Sequence, residues 1–457
     1  MKMIHKYFKL RERQTSIKVE CVAGLTTFLT MAYIIAVNPA ILSAAGMDKE
    51  ALIAVTCIMS GVATLAVGFL TNAPIAMAPG LGLNSIFAYL VVSEKMDWPT
   101  ALGVVFIAGL FFLILTALGL RRRIVEAIPT SLISAIGVGI GLFITFIGLQ
   151  DLGVIISDQN TLVTAGPVTA TVLIGLLGLL VMVYLEIKKV TGSLLVGIVV
   201  ATIAAIILRR VSLPEQYISS SIDVSPIAFK LDIIGALKWG FFGSIFTFMF
   251  IDMFDSVGTL VACCHKAQMA DEQGRIEGLD RLLGIDAVAT MAGAVLGTSP
   301  TTAFAESAAG IEQGGRTGLT SIVTGLLFLL ALVFVPLVTT VPKYAAAPAL
   351  IMVGLFMARE IKRINFADLE EAFPAFIIMV MIALSYSIST GLAFGFISFT
   401  LIKTILGKAR EVKPAMWIIA LMSVLFLTLD QLPALIDQIR SLGIDPNIPD
   451  PNSAVLK

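Results

Sequence analysis

The sequence predicts an all-α polytopic membrane protein with about fourteen transmembrane segments, arranged as two inverted halves of seven. Three observations predict it. Of 457 residues, 58% are hydrophobic and only 14% charged, too little charge to cover a soluble domain of this size. Continuous apolar runs of about 20 residues recur from end to end, which fits helices and not the alternating strands of a barrel. Two of these runs, at matching places in the two halves, are interrupted by proline and small polar residues.

The N-terminal stretch "MKMIHKYFKLRERQTSIK" is charged and lacks a small-residue cleavage site, so it is not expected to act as a secretory signal. Seven apolar runs follow, at 20–42, 51–71, 77–93, 99–119, 131–149, 168–186 and 192–208. Seven more lie at 237–262, 281–297, 298–311, 317–339, 345–358, 371–388 and 391–406. A further run at 416–433 either spans the membrane or lies on it. With the N-terminus in the cytoplasm, Arg121–Arg122–Arg123, Lys188–Lys189 and the cluster Arg359, Lys362 and Arg363 all fall inside, as do most of the 31 Lys and Arg.

An odd number of spans per half gives the halves opposite orientation, the condition for an inverted repeat. The third run contains "MAPGLGLNSIFAYL" and the tenth "TSPTTAFAESAAG". Each has a proline (Pro79, Pro300), then small or β-branched residues, then a polar residue (Asn84, Glu306). Unwound backbone survives in hydrocarbon only where protein or a cavity satisfies it. The two breaks are therefore expected to pair near the midplane and to present their short helices to a ligand.

Acids mark the same region. In "FTFMFIDMFDSVGTLVACC", Asp252 and Asp255 are three apart and share a helix face. An acid at a helix centre costs roughly 3 kcal/mol to insert, so two on one face point to a ligand or proton site, with helix packing through buried hydrogen bonds as the alternative. Glu306 follows the same logic, or serves as a satisfied helix cap. Phe304, if the chain is extended there, points to the same side as Glu306 and suits a planar ligand with N–H groups, or simply packs. Asn84 can donate and accept, as a heterocyclic base requires. Thr301 and Thr302 stand open between backbone and ligand roles. Asp286 and Arg316, placed near cytoplasmic ends, read as gate or pairing residues. The buried pair Asp252 and Asp255 cannot both ionise cheaply, so proton coupling is expected to run through carboxylates, with Asp255, Asp252 and Glu306 as carriers.

Other chemistry finds little support. Cys263–Cys264–His265 lacks further ligands for a metal, and "GVGIGLF" lies inside an apolar helix, not in a phosphate loop. No cofactor, metal, enzymatic activity or nucleic-acid partner is expected.

The motifs "GLTTFLTMAYIIAVNP", "APGLGLNSIF", "FIDMFDSVGTL" and "GTSPTTAFAESAAGIEQGGRTG", in this order, resemble the AzgA-like purine permeases of the nucleobase–ascorbate transporter superfamily. The likeness covers roughly residues 10–430. It implies proton symport of hypoxanthine, guanine or adenine through a multi-pass protein of the plasma or bacterial inner membrane. It implies short antiparallel strands in the third and tenth spans, with substrate between them. It implies a core domain (1–128 and 236–342), a gate domain (129–235 and 343–410) and a C-terminal hydrophobic segment and tail (411–457). Binding residues carried over are Asn84, Asp252, Asp255 and Glu306, with Phe304 and Thr302 beside them. Related uracil and xanthine branches carry a Gln/Glu–Asn pair where this chain has Glu306–Ser307, which argues against uracil or xanthine. Homodimers through the gate are implied, and "SLISAIGVGIGLFITFIGL" offers small residues for such packing. The rival is an anion transporter on the same fold, against which the three acids argue by charge.

Overall fold

The computed structural model describes residues 2–93, 96–119, 128–158, 161–214, 217–218, 222–238, 241–269, 276, 278–385 and 387–441. The basic cluster Arg121–Arg123 lies outside the described residues. A short helix α1 (Lys2–Tyr7) precedes the first span, which is broken into α2 (Ile17–Met31) and α3 (Ile34–Leu42). The second span is α4 (Lys49–Thr71). The third is strand β1 (Met77–Pro79) followed by α5 (Leu81–Ser93), and the fourth is α6 (Trp98–Ala117). Then come α7 (Thr130–Leu152), a hairpin of β2 (Ile155–Asp158) and β3 (Leu162–Ala165), α8 (Ala170–Ile187) and α9 (Ser193–Ile207).

The second half opens with the one-turn α10 (Ile233–Ala236) and the long α11 (Phe242–Lys266), followed by α12 (Leu279–Leu296). The tenth span is β4 (Thr301–Ala303) and α13 (Ser307–Glu312). The eleventh is α14 (Gly318–Ala331) with α15 (Val335–Thr339). Three helices, α16 (Lys343–Ala358), α17 (Leu369–Ser385) and α18 (Ile388–Ile405), precede α19 (Pro414–Ser441), which covers the run whose placement the sequence leaves open. Among the described residues, 8 helices are long and apolar enough to cross a membrane. Shorter apolar helices include Leu81–Val92 and Ser193–Ile207. The third and tenth spans fall short as helices because each opens with a strand of 3 residues before its helix begins.

The two breaks pair as the prolines suggest. β1 and β4 run antiparallel, with Met77 opposite Ala303, Ala78 opposite Thr302 and Pro79 opposite Thr301. Gly80 N donates to Pro300 O at 2.9 Å and Phe304 N to Ala76 O at 3.0 Å, extending the ladder at both ends. Side chains satisfy what the ladder leaves. Thr64 Oγ1 donates to Met77 O and accepts from Met77 N, while Ser307 Oγ accepts from Ala76 N. Thus buried non-helical backbone keeps partners, as a membrane interior demands.

The helices pack in two sets. α2, α4 and α6 of the first half lie against α12, α13 and α14 of the second, and α7, α8 and α9 lie with α16, α17 and α18. The first set is tied by charge as well as by packing. The buried Glu20 carboxylate, on α2, accepts from Thr320 Oγ1 at 2.6 Å and from the backbone N–H of Arg316 (3.0 Å), Thr320 (3.2 Å) and Thr317 (3.3 Å). These are the free donors at the start of α14, where negative charge is favoured. At the far end of the same span, Lys49 Nζ donates to Thr339 O (2.9 Å) and Val341 O (2.8 Å). Asn72 Oδ1 accepts from Gly318 N at 2.8 Å. The eleventh span is therefore held at both ends by residues of the first half.

Candidate functional site

The paired strands collect most of the residues singled out from sequence. Thr302, in β4, is buried and stands close enough to Asp255 on α11 for its hydroxyl to act on that carboxylate. Asp255 is half-buried, and Glu306 stands close enough for the two carboxylates to act on each other. Two acids in one low-dielectric space share protons more readily than both ionise. Asp252 is more deeply buried and turns elsewhere. Its Oδ2 accepts from Thr290 Oγ1 of α12 at 3.2 Å, and the same hydroxyl reaches Thr301 O at 3.2 Å. Both acids are thus tied to β4, one directly and one through a threonine.

Glu306 occupies the position just before α13 but makes no capping bond to that helix. Its Oε1 instead accepts from Tyr33 Oη at 2.6 Å, across from the first span. The backbone at Glu306 is helical, with φ −60 and ψ −20. The alternation expected of an extended chain therefore does not link Phe304 to Glu306. The strand ends at Ala303, and Ser307 N already donates to Phe304 O in a turn. The physical reason is that β4 has ladder partners only as far as Phe304 N, and the chain then closes its hydrogen bonds locally. Phe304 itself is buried among the hydrophobic core.

Asn84 lies at the other end of the strand pair. It is fully buried, and its Oδ1 accepts from Ser299 Oγ. Its Nδ2 has no partner among the described residues. On α3, the buried Asn38 Nδ2 donates to Thr56 Oγ1 at 2.7 Å and, at 3.4 Å, to Oγ1 of Thr298, the residue before Ser299. The site is therefore a line of polar groups along β4, with Asn84 and Ser299 at one end and Asp255, Glu306 and Tyr33 at the other. The line offers carboxylate acceptors at one end and an amide donor at the other.

Two residues read as gate candidates have structural places. Arg316 Nη1 donates to Ile311 O (2.7 Å) and Gly315 O (2.9 Å), closing the C-terminus of α13. Asp286 is fully buried on α12 and does not lie at an exposed end. Cys263 and Cys264 are buried free thiols, and no cluster of three or more potential metal ligands occurs among the described residues. Sequence reasoning passes over Tyr33, Thr290 and Ser299. A hydroxyl inside an apolar run is the one signal that marks them.

Comparison with known proteins places the arrangement in context. The model described as the permease family matches residues 18–431. The adenine permease AdeP of Escherichia coli K12 is 41% identical over 425 residues, 93% of this chain and 95% of that one. The guanine/hypoxanthine permease PbuO of Bacillus subtilis 168 is 40% identical over 427 residues, 91% of this chain and 98% of that one. Among solved structures, the transmembrane domain of a cyanobacterium bicarbonate transporter, BicA, aligns with TM-score 0.64 at 17% identity, covering 80% of this chain and 95% of that domain. SLC26A9 aligns with TM-score 0.62 at 11% identity, covering 86% of this chain and 67% of that one. At these identities the two structures establish the fold, an inverted repeat.

Proposed function

The chain belongs to this permease family, the nucleobase–ascorbate transporters, and from that premise we propose that it imports purine nucleobases in symport with protons. The observation that carries the reading is the proximity of two half-buried carboxylates, Asp255 and Glu306, at the paired break. A carboxylate inside a low-dielectric pocket wants an N–H donor, and a purine offers several on a flat, neutral frame. Asn84, Asp252, Asp255, Thr302, Phe304 and Glu306 form the substrate site. Proton carriage falls to Asp255 and Asp252, with Glu306 next.

The two packed sets of helices support a division into core and gate. The core carries the strand pair and the base, and it moves against the gate so that the site faces each side of the membrane in turn. The N-terminus lies in the cytoplasm, the membrane is the plasma or bacterial inner membrane, and two copies associate through their gates. The work is transport without chemical change to the substrate.

A second reading has one observation in its favour, the anion and bicarbonate transport named for the structural neighbours. Charge opposes it, since Asp255 and Glu306 would repel an anion. A thermal-shift screen of the purified chain decides between them. Stabilisation by hypoxanthine, guanine or adenine and indifference to uracil, sulfate and bicarbonate is the expected result. Stabilisation by the anions alone would replace the proposal with the second reading.

A further inference from the structure

The first span contains a break of its own. α2 ends at Met31 and α3 starts at Ile34, with Ala32 and Tyr33 forming a turn between them. Just before it, Thr30 Oγ1 folds back onto Thr26 O (3.0 Å) and Thr27 O (2.9 Å), a back-bond that bends helices. The break leaves Tyr33 almost wholly buried, at 1% exposure. A buried phenol needs a partner. Here the partner is Glu306, 273 residues away in sequence, at 2.6 Å. That length is typical of a hydroxyl donating to an ionised oxygen.

The surrounding backbone holds the two together. Gly310, one turn beyond Glu306, presses its α-carbon onto α2. A Cβ there would lie 2.1 Å from Thr27 Oγ1 and 2.5 Å from Ala23 O. Gly24 of α2 meets the next span in the same way, 2.6 Å from Thr320 O by the same measure. Glu306, meanwhile, receives no capping bond with α13. Its carboxylate is thus held from across the molecule by Tyr33, with its own backbone N–H as the local partner.

We propose that Tyr33 is a positioning residue for Glu306, and that its hydroxyl sets how strictly the site demands an N–H on its ligand. The proposal rests on the purine reading above. A glutamate left unpinned has rotamer freedom to lose on binding, and it can swing aside for a ligand that offers no donor. Pinned through Oε1, the carboxylate keeps its orientation and presents fixed lone pairs. A base with an N–H there gains a charge-assisted bond. A base methylated at that nitrogen meets an unpaired acceptor and is rejected.

Calorimetric titration of the full chain in detergent tests this, with hypoxanthine and its 1-, 7- and 9-methyl derivatives as probes. Wild type is expected to bind hypoxanthine and to discriminate against at least one methyl derivative by about tenfold or more. Tyr33→Phe keeps the ring and removes one hydroxyl. It should weaken hypoxanthine about tenfold and shrink that discrimination ratio. A merely structural role would weaken parent and derivatives alike, so an unchanged ratio overturns the proposal. Glu306→Asp draws the carboxylate back from Tyr33 and provides the same reading if Tyr33→Phe does not fold. It should also shrink the ratio, and a preserved ratio counts against us equally. Wild type that binds no purine sinks the purine reading and this assignment with it. Wild type that binds purine while the variants match it in affinity and ratio overturns the role of Tyr33 alone.

Discussion

Asp252 and Asp255 leave neighbouring positions on α11 and end on different partners. Asp252 accepts from Thr290 at 3.2 Å, whereas Asp255 lies beside Thr302 and stands in the field of Glu306. Three-residue spacing puts both on one helix face, yet their company gives them separate work.

The first prediction concerns protons. Asp255→Asn should keep purine binding or counterflow at least in part and lose accumulation driven by a pH gradient. Asp252→Asn should also impair coupling and in addition cost stability, because it disturbs the Thr290 bridge to β4. The sign follows from the proposed step: a proton taken from outside neutralises the site, so uptake should fall as external pH rises. Proteoliposomes with an imposed pH gradient read this out. Accumulation by both Asn variants would move the proton to Glu306, and accumulation driven by sodium alone would remove proton coupling altogether.

The second prediction ranks two neighbours. Glu306→Gln should largely abolish purine binding, since a charge-assisted hydrogen bond contributes about 1.5–3 kcal/mol. Phe304→Leu should weaken it less, as an aromatic contact adds roughly 0.5–1.5 kcal/mol beyond area burial. The buried position of Phe304 within the core strengthens this order. Calorimetry showing equal or reversed effects would contradict it.

Glu20→Ala is the third. It strips an acceptor from three backbone N–H groups and one hydroxyl in a buried setting. The expected loss is about 3 kcal/mol or more of stability. It should show as a lowered midpoint in a detergent thermal-shift assay, with hypoxanthine affinity in the folded fraction unchanged. Glu20→Gln keeps one acceptor and should fall between. A midpoint that does not move would show that water replaces the carboxylate.

Gly310→Ala is the fourth. The added methyl has to displace Thr27 or the backbone at Ala23. Overpacking of this kind costs about 1–3 kcal/mol. The helix that carries Glu306 must then shift away from α2, so purine affinity should drop together with stability. Unaltered affinity would mean that the Tyr33–Glu306 contact survives the shift.

Much of this site is legible in the sequence, because its most costly features are local. Pro79 and Pro300 break two apolar runs within a few residues, and an acid inside such a run needs a reason wherever it folds. The pairing of the breaks follows from backbone satisfaction alone, and the register Ala78–Thr302 realises it. What escapes is the set of groups that complete the acids. Tyr33 and Thr290 are ordinary residues of apolar helices until the fold sets them against Glu306 and Asp252. The break at Ala32–Tyr33 has no proline or glycine to announce it. The extended reading of 304–306 fails for a related cause: Ala305 and Ser307 on either side of Glu306 permit a strand or a helix, and the ladder's length decides. The hairpin at 155–165 carries no strand signal in the sequence, because neither of its strands buries an alternating face.

The clamp on the eleventh span also has a consequence for how the protein is made. Glu20 and Thr320 are 300 residues apart in the chain. At about 5–20 residues per second, a ribosome takes roughly 15–60 seconds to travel between them. For that interval the first span sits in the bilayer with a carboxylate that has none of its final donors, and Lys49 waits for its carbonyls at the other face. The early spans cannot settle as a finished unit before the late ones arrive. A nascent chain stalled between residues 210 and 310 should therefore remain protease-sensitive and bound to the insertion machinery, and one stalled beyond residue 345 should not.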